Sequence, residues 1–92
     1  MPLFAIVAHD RRDAGTLRAD TRPHHLVHLE AIAARIVVAG PMLGESGAPA
    51  GSIIIADFAD LPAAQAFADA DPYALAGLFE SVAVTGFRQV FP

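Results

Sequence analysis

Two short segments limit what this chain can fold into more than any others: residues 2–9 (PLFAIVAH) and 52–58 (SIIIADF). Both are rich in strand formers and almost continuously apolar. Successive side chains of a strand face opposite sides of its sheet. Leu3, Ala5 and Val7 therefore point one way and Phe4, Ile6 and Ala8 the other, while Ile53 and Ile55 oppose Ile54, Ala56 and Phe58. A sheet wet on one side alternates apolar with polar residues. This pattern instead calls for a sheet covered on both faces.

The rest of the chain supplies cover for one face. Residues 10–20 are polar, hold Gly15 and read as a loop. Thr21 with Pro23 is a helix-start signal, and Leu26, Leu29, Ile32, Ala33 and Ile36 recur at helical spacing to about Ala34. Residues 36–43 (IVVAGPML) read as a second strand interrupted by Gly40-Pro41, and 44–51 (GESGAPAG) as a loop. After the third strand, 61–70 (LPAAQAFADA) form a second helix. Asp71-Pro72-Tyr73 stops it, because the residue before a proline avoids the helical region. Residues 74–79 give a further helical turn and 80–91 (ESVAVTGFRQVF) the last strand.

The order β-α-β-β-α-β is that of the α+β ferredoxin-like fold, with helices on one face of a four-stranded antiparallel sheet. One domain spans residues 1–92. Nothing is left over to cover the second face, so a homodimer joined through the sheet faces is expected. A lone copy would expose an apolar patch larger than monomers tolerate.

Composition narrows the function classes. The chain is 54% hydrophobic and 17% charged, with a formal charge of −4 and no lysine. It has no basic run for nucleic acid. No apolar run approaches the roughly 20 residues that cross a bilayer, and the start lacks a basic, then apolar leader. A cytoplasmic protein without nucleic-acid or membrane partners is expected. The absence of cysteine excludes disulfides and thiolate metal sites.

Three of the four histidines, His24, His25 and His28, crowd into the first expected helix. Histidine exchanges protons near neutrality, with an unperturbed pKa of about 6.5. His25 shares a helical face with Leu29, Ile32 and Ile36, so the pattern drives it inward. His24 and His28 lie on a neighbouring stripe with Ala31 and Arg35 and belong at the rim. An i, i+4 histidine pair can grip a metal, but no HExxH accompanies this one, and no metal is expected. For His25, the alternative to chemistry is a buried neutral ring bonded to a carbonyl. Asp71, before Pro72, is held rigidly enough to orient another group. The residues by themselves favour an ordinary Asx-Pro turn in which it only caps local amides.

Taken together, Arg22-Pro23-x-His25-Leu26, Ala39-Gly40-Pro41, Gly51-Ser52, Asp69-Ala70-Asp71-Pro72-Tyr73 and Ala76-Gly77 resemble the YCII-related (YciI-like) family of the dimeric α+β barrel superfamily. The resemblance runs over nearly the whole chain in order. It implies a ferredoxin-like protomer whose sheet packs on its twin, and a catalytic His–Asp pair at His25 and Asp71. It also marks Arg22, Gly40, Pro41, Ser52 and Tyr73 as substrate-binding positions. No cofactor is implied. Relatives in the wider superfamily perform cofactor-free isomerisation, elimination or oxygenation of small cyclic compounds.

A carboxylate that fixes one imidazole nitrogen leaves the other as a general base. With no cysteine, and no base beside Ser52, proton transfer is favoured over hydrolysis through a covalent intermediate. The expectation is a cofactor-independent lyase or isomerase for a small anionic cyclic or unsaturated substrate, with Arg22 holding a carboxylate. The alternatives are a non-catalytic small-molecule-binding or accessory protein, and a domain that serves only to dimerise.

Overall fold

Strands β1 (Leu3–Asp10), β2 (Ile36–Leu43), β3 (Pro49–Asp57) and β4 (Phe79–Phe87) form one antiparallel sheet in the order β2-β3-β1-β4 in a computed structural model. The structure describes residues 2–92, so Met1, the first position of the expected domain, lies outside it. The two doubly apolar strands are the central pair, in register from Leu3 opposite Asp57 to His9 opposite Gly51. Helices α1 (Leu17–Glu30), α2 (Leu61–Asp69) and α3 (Pro72–Leu75) complete the expected βαββαβ order.

The core lies between the sheet and the helices. Ile6, Ile54, Ala56, Ile32, Phe58, Ala64 and Ala68 form it, with Phe4, Phe67 and Val84 packed against it. Phe58 joins the layers through aromatic contacts with Phe4 and Phe67. On the opposite sheet face, the alternation places Leu3, Val7, Ile53, Ile55 and Val38, with Val38 54% exposed. No helix of the described residues covers it.

Two glycines are needed by the backbone. A Cβ at Gly51 would collide with the Ala8 carbonyl oxygen and the Met42 methyl group where β3 crosses between β1 and β2. Gly77, with φ of +77°, turns the chain from α3 into β4, where a side chain would be strained.

Several boundaries differ from the expectation. The turn expected over residues 74–79 is instead α3 at Pro72–Leu75, started by the Asp71 cap on the Tyr73 N–H, and Phe79 already belongs to β4. Helix α1 starts at Leu17, so Pro23 is inside it as the seventh residue and leaves the Ala19 carbonyl without its helical partner. The added first turn is tied down by Arg18, which pairs with Asp10 at the end of β1. The same helix ends at Glu30, and Ala33–Arg35 form a separate 3-10 turn before β2. Gly40-Pro41 does not interrupt β2, because β2 is an edge strand where a missing N–H costs no ladder bond. Strand β3 begins at Pro49, inside the expected loop, and β4 ends at Phe87, where its pairing with Leu3 closes the ladder.

Candidate active site

The sequence builds the site from four elements that meet on the helix-bearing face of the sheet. Helix α1 brings Arg18, Arg22 and His25; β2 and β3 bring Gly40, Pro41 and Ser52; α3 brings Asp71 and Tyr73. All of these except Asp71 line a cavity of about 490 Å³, together with Leu26, Leu29 and Ala39. Asp71 sits behind His25 and does not reach the cavity wall.

His25 is inward as its helix phase requires, with 7% of its surface exposed, and Asp71 is 3% exposed. His25 Nδ1 and Asp71 Oδ1 are 2.9 Å apart. The same Oδ1 accepts the Tyr73 backbone N–H at 2.9 Å, so Asp71 is also the N-cap of α3. The orienting role and the local turn that its sequence context left open are thus one arrangement. An ionised carboxylate only accepts hydrogen bonds. The His25 proton therefore sits on Nδ1, and Nε2 carries the lone pair.

Tyr73 stacks on the His25 ring, with centroids 4.0 Å apart and planes 20° from parallel. The Arg18 guanidinium carbon lies 4.6 Å from the Tyr73 ring centroid. Burial pushes the Tyr73 phenol above the ordinary tyrosine range, and Asp71 adds to the rise while Arg18 and Arg22 oppose it.

Sequence reasoning missed Arg18 and Asp10. Arg18 Nε and Nη2 donate to Asp10 Oδ2 and Oδ1, both at 2.8 Å, and Nη2 also donates to Ser52 Oγ at 2.9 Å. Burial disfavours the Arg18 charge, but the hydrogen bonds and charge of Asp10, with a smaller contribution from Tyr73, outweigh it and hold its pKa above the usual arginine value. The available signal was Gly15-Thr16, itself a loop-then-cap start; accepting it would have put Arg18 on the helix four residues before Arg22.

Arg22 is exposed on the cavity wall, and no carboxylate pairs with it among the described residues. His24 is exposed. His28 departs from the rim placement: its ring stacks on Phe67 at 3.9 Å and Nε2 donates to the Phe67 carbonyl at 2.9 Å, so it fastens α1 to α2. No three metal-ligating side chains converge among the described residues.

The YCII-related domain matches residues 2–88. The chain belongs to the YCII-related family. Protein YciI of Escherichia coli is 43% identical over 97% of this chain and 99% of its own length. An uncharacterised protein of Haemophilus influenzae is 35% identical over 96% of this chain and 98% of its own. Among solved structures, the 5-chloro-2-hydroxyhydroquinone dehydrochlorinase of Burkholderia phenoliruptrix, in complex with 2,5-dihydroxybenzoquinone, superposes with a TM-score of 0.87. It is 32% identical, over 94% of this chain and 93% of that one. This YCII-related protein thus has a ferredoxin-like protomer of the dimeric α+β barrel type and an enzyme as a structural neighbour.

Proposed function

We propose that this YCII-related protein is a cofactor-independent lyase or isomerase that uses His25 as a general base on a small anionic cyclic or unsaturated substrate. The observation that carries the reading is the His25 Nδ1–Asp71 Oδ1 contact of 2.9 Å behind a cavity that His25 itself lines. Nε2 is then the ring nitrogen left for a ligand. It takes a proton from the substrate, and the bonding pair moves onto a conjugated oxygen. Asp71 stabilises the resulting imidazolium. In an isomerisation the proton returns to a different atom; in an elimination the electron pair on oxygen returns and expels an anionic leaving group. A base placed in this way is worth about 10²–10⁴ in rate.

Arg22, free of a carboxylate partner among the described residues, is suited to hold an anionic group of the substrate. The cavity of about 490 Å³ lies within the roughly 300–1,000 Å³ of small-molecule sites. The structural neighbour's reaction, dehydrochlorination of a small hydroxylated ring, is an elimination of the same kind. A second copy covering the apolar sheet face of Leu3, Val7, Ile53 and Ile55 belongs to the same reading.

The test is turnover of 5-chloro-2-hydroxyhydroquinone and a panel of hydroxylated rings and unsaturated acids. Wild type and His24→Ala turn over a member of the panel, and His25→Asn loses about 10²–10⁴ in kcat. Equal turnover by His25→Asn, or binding without turnover by the wild type, overturns the enzyme reading; the latter outcome favours a binding protein.

A further inference from the structure

We propose that Ser52 donates a hydrogen bond to the substrate oxygen that gains charge when His25 removes a proton, and that Arg18, locked by Asp10, is the positioning residue that aims it. The identity of that oxygen rests on the acid–base reading above; the direction of the donor rests on geometry alone.

Ser52 lies on β3, opposite Ala8 of β1 and Pro41 of β2, and is only 5% exposed. The little surface it keeps belongs to the wall of the cavity that His25 and Arg22 also line. A hydroxyl has one proton to give and two lone pairs. One lone pair of Ser52 Oγ is taken by Arg18 Nη2 at 2.9 Å. Guanidinium carries no acceptor, so the Ser52 proton cannot point back at Arg18. No acceptor within the chain receives it among the described residues. The cavity is the direction that remains, and a ligand oxygen there is the partner that completes the group.

Arg18 is built to hold this arrangement. Its fork is closed on both Asp10 oxygens at 2.8 Å, with only 14% and 11% of the two side chains exposed. Asp10 offsets much of its charge, which leaves Arg22, without a carboxylate partner among the described residues, as the cation for a substrate carboxylate. The short bond from a charged donor polarises the Ser52 O–H and makes it the stronger donor in turn. As His25 Nε2 takes the proton, the electron pair arrives on a carbonyl, enolate or phenolate oxygen, and Ser52 meets the charge there. The ligand class is a ring or chain with an oxygen conjugated to the deprotonated position. A fixed donor of this kind contributes about 10²–10³ to kcat in other enzymes.

The experiment is titration calorimetry of the intact protein with 2,5-dihydroxybenzoquinone, on wild type, Ser52→Ala, Arg18→Lys and the double variant. Lysine keeps the charge but cannot hold Asp10 bidentately and reach Ser52 as well. Ser52→Ala is expected to weaken binding about ten- to a hundredfold, and Arg18→Lys by a similar factor. In the Ser52→Ala background, Arg18→Lys should cost almost nothing more, because it acts through the missing hydroxyl. Should Arg18→Lys fail to fold, Asp10→Asn takes its place in the cycle. Unchanged binding by Ser52→Ala overturns the proposal. So does a full loss from Arg18→Lys without Ser52, which would make Arg18 a direct ligand contact, and so does a wild type that does not bind the probe. Turnover by His25→Asn, measured separately, tells failure of the base apart from failure of the donor.

Discussion

Asp71 Oδ1 receives two hydrogen bonds at once, one from the Tyr73 backbone and one from His25, so the cap of α3 and the orientation of the histidine depend on a single atom. Asn in its place keeps the size and can still cap, but its amide lets the imidazole settle in the other tautomer. Asp71→Asn is therefore expected to lower kcat by about 10²–10⁴ while the melting temperature moves little; a parallel loss of both would reduce the pair to a structural contact. Tyr73 offers a second residue-level test, because it is the only tyrosine and there is no tryptophan. Its phenol titrates above the unfolded value of about 10. Between those two values the folded protein holds a proton that the unfolded chain has released, so stability is full below about pH 10 and falls as pH rises through the native value. Tyrosinate absorbance should show the raised midpoint, and Asp71→Asn should bring it down, since Asp71 contributes to the rise.

At the scale of elements, the sequence was legible where one period dominated. Residues 3–8 and 53–58 are apolar on both faces of the pleat and so required a sheet with two apolar faces, and the spacing of His25, Leu29 and Ile32 placed His25 inward, where it is buried. The start of α1 was illegible because two local start signals compete, and the contact that decides between them is long-range: Arg18 closes on Asp10, eight positions away and in another element. Moving the helix start to Thr21 hid Arg18 in a loop, and with it the bond to Ser52. Pro41 misled for a related reason, since only the sheet order shows that β2 is an edge. The strand packing gives a paired prediction. Gly51→Ala drives a Cβ into the Ala8 carbonyl and should destabilise the protein by about 1–3 kcal/mol, read by chemical denaturation. Gly40→Ala, one strand over, meets nothing within 4 Å and should leave the midpoint unchanged.

At the scale of the whole molecule, one face of the sheet carries the helices and the candidate site, and the other is apolar and bare in the single chain. The proposed dimer predicts a single species of twice the protomer mass of 9.6 kDa in sedimentation at micromolar concentration. Placing Asp at Ile55, on the bare face, should dissociate it, and a stable monomeric wild type would contradict the second copy. The proposed chemistry converges on one ring, whose Nδ1 faces a buried carboxylate and whose Nε2 is, in that proposal, left for the ligand. That assignment is read directly by nitrogen-15 and proton correlation of the His25 ring at a pH where it is neutral. The account predicts the proton on Nδ1 and a bare Nε2 in the wild type, with Asp71→Asn shifting the tautomer. A wild-type ring protonated on Nε2 would leave no base facing the ligand and would contradict the proposed chemistry.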